Sequence, residues 1–265
     1  MDLDIDGNAA IVTASSRGLG RAAATALVRE GVDVVINGRD PDRLEETAAA
    51  LENEAPTGTV VIPHAGDITE ASVPPALVDR AMNECGRLDH VVTSAGGPPS
   101  GPFLDIEIEA WYEAYELLVM SVVRLCHAAH PALEAGDGGT IVTITSRSVK
   151  EAIDSLVLSN AVRMGVIGLE KTLSKEFAPE IRANAVLPGV HRTGRIEELI
   201  EQAIERGDYE SYDEGLADWS GHIPLDRLGD PMELGNTVAF LCSPRSGFIN
   251  GAAIPIDGGG GRSNL

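Results

Sequence analysis

Apolar residues along this chain come in short runs separated by longer amphipathic stretches. Seven runs rich in branched side chains stand out, at 9–14 (AAIVTA), 32–37 (VDVVIN), 59–64 (TVVIPH), 88–95 (LDHVVTSA), 139–145 (GTIVTIT), 181–187 (IRANAVL) and 252–257 (AAIPID). Runs this short and nearly continuous mark strands covered on both faces, as in a parallel sheet. Helical stretches lie between them. The alanine-rich 18–31 ends at Gly31, and 41–54 follows Asp40, an N-cap residue, with Pro41 at the first helical position. The stretch 108–133 is long enough for two helices run together, and 156–178 is a further long helix. Strand–helix alternation with right-handed crossovers predicts an α/β fold: one doubly wound (Rossmann) parallel sheet of about seven strands with helices on both faces. Its ligand belongs beyond the carboxyl ends of the strands. The 265 residues fit a single domain. The stretch 192–221 breaks the rhythm; it is acidic and mixed in period, and reads as a helical flap beside a ligand site or as a solvated helix pair.

Charge narrows the class of function. The chain carries 41 acidic and 20 basic residues, a net charge of −21, and a pI near 4.5. Such a surface repels phosphate backbones, so no nucleic-acid partner is expected. Self-repulsion on this scale destabilises a compact state unless salt screens it. Lysine is confined to Lys150, Lys171 and Lys175. Acid excess with scarce lysine is the expectation for a halophilic protein. Cys85, Cys126 and Cys242 lie far apart and form no CxxC pair, which suits free thiols in a reducing cytoplasm. No apolar run approaches a membrane span and the start has no signal-peptide pattern, so no membrane association is expected.

Candidate chemistry begins at Thr13–Gly20 (TASSRGLG), between the first strand and the first helix. Thr13, Ser15, Ser16, Arg17 and Leu19 surround Gly18 and Gly20, whose lack of a side chain lets backbone amides approach a pyrophosphate at a helix N-terminus. The alternative is a tight turn without a ligand. The second strand ends in Asn37-Gly38-Arg39. A dinucleotide lacking a 2′-phosphate usually meets an acidic residue there. Asn37 is not acidic, and Arg39 with Arg17 can clamp a phosphate, which favours NADP(H) over NAD(H). Surface arginines paired to acids are the alternative. Asp67, followed by Ile68, is placed to accept from the adenine amino group.

With these residues in hand, the chain resembles the short-chain dehydrogenases/reductases over essentially its whole length. The landmarks run in order: TASSRGLG, GDIT (66–69), TSAG (93–96), ITS (144–146), NAVLPG (184–189) and PIDGGG (255–260). It is most similar to members known as 3-oxoacyl-carrier-protein reductases or glucose 1-dehydrogenases. The resemblance implies a nicotinamide dinucleotide at the strands' carboxyl ends and hydride exchange with a small carbonyl or alcohol substrate. It also implies a homo-oligomer, a tetramer or dimer. Ser94, Ala95, Gly96, Pro188, Gly189 and Thr193 take cofactor-contacting positions by the same resemblance; Thr193 also suits an N-cap. Several positions depart from the pattern. Ala14 replaces the first glycine, Ser94 an asparagine, and Leu118 the helix asparagine that holds a relay water. Ser146 matches the catalytic serine, whereas Ser159 stands for the tyrosine and Arg163 for the lysine.

The usual tyrosine is a phenol that protonates the nascent alkoxide. Ser159 is shorter and a far weaker acid. Arg163 keeps the positive charge and the hold on ribose hydroxyls but cannot relay a proton. The catalytic candidates are therefore Ser146, Ser159 and Arg163, with the proton coming from His191, Lys150, Tyr112, Tyr115 or water. A non-catalytic NADP(H)-binding sensor or partner subunit, and a non-redox reaction on the same scaffold, remain alternatives. No metal site is expected, because His127 and His130 beside Cys126 lack a carboxylate to complete a ligand set. The Gly258–Gly261 run is expected to let the C-terminus turn closely against another subunit, or to supply flexibility.

Overall fold

The computed structural model describes residues 1–136 and 138–264, and all their side chains but those of Arg195 and Gln202. Seven strands form one sheet: β1 (Ala9–Val12), β2 (Asp33–Gly38), β3 (Val61–Ala65), β4 (His90–Thr93), β5 (Gly139–Ile144), β6 (Ile181–Pro188) and β7 (Ala253–Ile256). Their order is β3-β2-β1-β4-β5-β6-β7, and every pairing is parallel. The chain enters at β1, winds outward to β3, then returns to β4 on the other side of β1. That reversal is the switch point where such sheets open a crevice at their carboxyl ends.

Alternate strand residues feed two cores. Val12, Ile36, Val92 and Val142 meet α1 (Gly18–Arg29) and α9 (Pro231–Cys242) on one face. Ile11, Val91 and Ile141 meet α3 (Val73–Glu84) and α5 (Ser121–Ala135) on the other. The first core is tight: a Cβ on Gly235 of α9 would lie 2.3 Å from the carbonyl oxygen of Ala22 on α1. Helix α9 starts at a full capping box, Asp230 with Glu233, and α2 (Pro41–Glu52) at Asp40, whose carboxylate accepts from the Arg43 amide.

The stretch read as two joined helices is α4 (Ile108–Tyr115) and α5, joined by a π-helical turn over Glu116–Met120. One extra residue in that turn frees carbonyl groups from the helical ladder. The Leu117 carbonyl accepts from the Ser121 hydroxyl at 2.5 Å. The remaining long helix is α6 (Val157–Glu176). The 192–221 stretch folds as α7 (Gly194–Glu205) and α8 (Tyr212–Gly221), anchored by the fully buried Ile200. No helix among the described residues is long and apolar enough to cross a membrane.

Candidate active site

A groove of about 570 Å³ runs over the carboxyl ends of the central strands. Its floor is the β1–α1 turn. Ala14 takes a left-handed backbone (φ +48) and so does Gly18 (φ +60). A Cβ on Gly20 would lie 2.4 Å from the Ala14 carbonyl oxygen, so only glycine lets α1 start this close to the turn. Ser16, Arg17, Gly18, Leu19 and Gly20 line the groove, with the α1 N-terminus behind them. Thr13 and Ser15 do not line it; they are buried and stitch its frame. The Thr13 hydroxyl donates to the Ser94 carbonyl at 2.7 Å and accepts from the Ser94 amide at 2.8 Å, locking the end of β1 to that of β4. The Ser15 hydroxyl donates to Val12 O (2.7 Å) and accepts from the Asn37 amide (3.0 Å).

At the end of β2, Asn37 is buried and its side-chain NH2 donates to the carbonyls of His64 and Gly66, both at 3.1 Å. Only its carboxamide oxygen is left for a ligand. Arg39 is exposed on the groove rim, and its charge helps lower the Asp67 pKa, a shift owed first to the bond from the Thr69 amide. Asp67 and Ile68 line the groove beside it. Arg17 is engaged from above: its guanidinium lies 3.5 Å from the Glu198 carboxylate on α7. Ser94, Ala95 and Gly96 line the opposite wall, with Gly189 and Thr193 closing the far end; Pro188 lies within β6 instead. The Thr193 carbonyl accepts from the Ile196 amide at 2.8 Å, so that carbonyl starts α7 while the side chain stands over Gly18.

The substituted positions separate here. Arg163 lines the groove, is 8% exposed, and its Nε has no partner among the described residues. Burial lowers its pKa to about 10, which still leaves it charged at neutral pH. Ser159 is buried away from the groove, its hydroxyl 3.0 Å from that of Ser148. Ser146 is half-buried, and its hydroxyl accepts from the Ser148 amide at 3.1 Å. Ser148 thus links the other two serines, its hydroxyl to Ser159 and its backbone amide to Ser146, and none of the three lines the groove.

The alternative proton donors fare differently. Lys150 is exposed, and Tyr112 and Tyr115 are 74% and 52% exposed on α4, outside the groove wall. His191 is 4% exposed and sits between the groove and a second, apolar cavity. Its Nδ1 lies 3.3 Å from the Gly189 carbonyl, and its ring packs so closely on Gly229 that a Cβ there would be 2.7 Å from Cδ2. Burial lowers its pKa, so the ring is neutral at pH 7. The position counted as the relay asparagine also shifts: Leu118 is buried against Leu158 and Val162, while Leu117, one residue earlier on the π-turn, faces the groove.

The C-terminal glycines turn against their own chain. A Cβ on Gly258 would meet Ile223 at 2.7 Å, one on Gly260 would meet Arg147 at 2.8 Å, and the Arg262 amide donates to Glu151 at 3.0 Å. This strap covers the loop that follows Ser146. His130 packs its ring on Phe177, with centroids 4.3 Å apart.

Residues missed in the sequence also line the groove: Gly38, Gly66, Gly97, Leu117, Ile144, Thr145, Val190 and Ile196. Gly38, Gly66, Ile144 and Thr145 lie inside the motifs already quoted and Gly97 and Val190 directly follow one, which was the available signal. The groove fits an extended dinucleotide. Close-approach glycines and a helix N-terminus sit midway, hydrogen-bond acceptors and Arg39 stand at one end, and the buried Arg163 cation at the other.

Comparison with known proteins agrees. The Enoyl-(Acyl carrier protein) reductase family model matches residues 13–260. The 7alpha-hydroxysteroid dehydrogenase of Escherichia coli K12 is 28% identical over 260 residues, covering 98% of this chain and 96% of that protein. The structure of L-sorbose reductase from Gluconobacter frateurii, complexed with NADPH and L-sorbose, superposes with a TM-score of 0.94 at 29% identity, covering 99% of this chain and 100% of that one. A 7alpha-hydroxysteroid dehydrogenase complexed with NADH and 7-oxo glycochenodeoxycholic acid does so at 0.85 and 27%, covering 100% and 98%. A family match spanning all but the two ends, on a sheet that reverses at the same point as the groove, has one meaning: this chain is a member of the short-chain dehydrogenase/reductase superfamily.

Proposed function

We propose that the protein is an NADP(H)-dependent oxidoreductase moving hydride between nicotinamide and a carbonyl or secondary alcohol. The observation that carries this reading is Arg163: a buried guanidinium, unpartnered at Nε, lining the groove at the end away from Arg39. The bound nicotinamide would supply or accept the hydride. The β1–α1 amides would hold the pyrophosphate, Asp67 the adenine amino group, and Arg39 with Arg17 the 2′-phosphate. Choosing NADP(H) over NAD(H) follows from those arginines and from the absence of an acidic residue at Asn37.

Arg163 takes over the electrostatic half of the work done by the family's tyrosine and lysine. A fixed cation in a desolvated site stabilises developing oxyanion charge without reorganising. It does not donate the proton. Neither Ser159, held behind the groove, nor His191, neutral and packed on Gly229, is suited to donate one in its place. Water is the donor this reading assigns. The flap formed by α7 and α8 would cover the substrate and set its identity.

The same constellation supports a second reading, an α,β-unsaturated carbonyl as substrate. Hydride addition to such a substrate leaves a delocalised enolate, which needs a held cation more than an adjacent strong acid. The test is fluorescence titration with NADPH and NADH in molar salt, followed by turnover with saturated ketones and with enones. NADPH binding with turnover that collapses in Arg163→Gln supports the oxidoreductase reading. Tight binding without turnover on either panel would replace it with the sensor alternative.

A further inference from the structure

Among the described residues, two buried side-chain atoms, Arg163 Nε and Glu170 Oε2, lack a hydrogen-bond partner, whereas the buried Arg80 Nε is ion-paired with Glu84. Buried polar atoms are nearly always paired, so two exceptions on one helix call for a reason. Arg163 and Glu170 both lie on the buried side of α6, seven residues apart, a rise of roughly 10 Å along the axis.

Glu170 is 3% exposed. The Thr143 hydroxyl on β5 donates to its Oε1. The Thr93 hydroxyl on β4 in turn donates to Thr143 at 2.8 Å, across a directly paired register. Thr93 closes β4, and the next residue, Ser94, lines the groove and carries both bonds to Thr13. The carboxyl is thus tied to the groove along two routes, up α6 to Arg163 and across two threonines to Ser94.

We propose that Glu170 is a positioning residue of this active site: its buried carboxyl, held by Thr143 and aligned with Arg163 on α6, sets the charge beneath the groove and thereby the hold of the guanidinium on bound ligand. Burial pushes the carboxyl up to about 8, against the opposing effect of the Thr143 bond. Its neighbours do not compensate. Cys126 on α5 is held well above the ordinary thiol range by burial and stays neutral, and β4 and β5 offer the Thr93 and Thr143 hydroxyls. On α6 itself Lys171 turns out to the Gly251 carbonyl and Lys175 and Glu176 are exposed, while Arg182 on β6 is held by the carbonyls of Leu241, Ser243, Ser246 and Ile249, which leaves Arg163 as the buried charge on the helix. Ionisation of Glu170 therefore places a negative charge below the cation, at a separation and effective dielectric worth roughly tenfold in affinity or rate.

The proposal rests on the nicotinamide reading for its effect on ligand, and the experiment separates the two. NADPH affinity and reductive kcat are measured from about pH 6 to 9.5 for the wild type, Glu170→Gln and Glu170→Asp. Both should fall roughly tenfold through about pH 8 in the wild type, stay flat in Glu170→Gln, and fall again in Glu170→Asp. A limb that persists unchanged in Glu170→Gln would overturn the proposal. Without any dinucleotide, the Glu170 carboxyl is titrated by carbon NMR in the wild type and in Arg163→Gln. Loss of the cation should move its midpoint to higher pH by about one unit. An unmoved midpoint sinks the proposal; a moved one in a protein that binds no NADPH upholds the coupling and rejects the nicotinamide reading instead.

Discussion

A carboxyl buried as deeply as Glu170 leaves a signature on stability that needs no substrate. Its ordinary value is 4.5, and burial in the fold raises it to about 8. Between those values the unfolded chain has released a proton that the folded chain keeps. Stability therefore falls as pH rises, by about 1.4 kcal/mol per pH unit across that window. Summed from acid to neutral pH the loss is about 3 kcal/mol, and it levels off at about 5 kcal/mol above the folded value. Below the unfolded value it vanishes. Glu170→Gln keeps an acceptor for Thr143 and cannot ionise, so its profile should lack this component. The assay is urea unfolding in molar salt from about pH 5 to 8.5, read as variant minus wild type. His90, whose pKa burial lowers to about 4, bends both profiles alike and cancels. The unpaired amide of the glutamine adds a constant offset. The difference should move in the variant's favour by about 4 kcal/mol across that range. A difference that is the same at every pH would refute the reasoning.

Other outcomes follow from the geometry. Arg39→Ala should weaken NADPH by about 10- to 100-fold, as loss of a charged hydrogen bond does, and leave NADH nearly unchanged in the same fluorescence titration. His191→Gln should keep reductive turnover within about tenfold of the wild type, because a buried neutral imidazole is not the proton source; loss of 10³-fold or more in stopped-flow turnover would reinstate it. Gly235→Ala forces a methyl to within 2.3 Å of the Ala22 carbonyl oxygen and should cost about 2 kcal/mol or more in urea unfolding. The unfolding midpoint should climb steeply from low to molar salt, since the chain's net charge is −21; equal midpoints would remove the halophilic expectation.

The sheet was readable because each strand is buried on both faces and so appears as a compact branched run. β1, β2, β5, β6 and β7 fall within the expected stretches to a residue or so; the runs at 59–64 and 88–95 begin two residues before β3 and β4, and the second also ends two residues past its strand. Helices α3 and α9 did not announce themselves, since Pro74 and Pro75 open one and a glycine sits inside the other. Within the site, glycines and motif residues were legible because backbone approach needs particular residue types. What the sequence hid was direction. Ser159 and Arg163 share a motif, yet the helix turns one toward Ser148 and the other into the groove. The π-turn likewise moves the groove-facing position from Leu118 to Leu117. Glu170 belongs to no motif in the sequence; only its place on the inner face of α6, in step with Arg163, gives it weight.

The contact between Arg17 and Glu198 joins α7 to the β1–α1 turn through a solvent-exposed ion pair. Such pairs are worth less than about 1 kcal/mol and fade as the screening length shortens. If α7 covers the bound cofactor as proposed, the electrolyte that the acidic charge is expected to require would also loosen this contact and free Arg17 toward the proposed 2′-phosphate. Ionic strength would then act on this molecule in two opposite senses, tightening the frame while loosening the door.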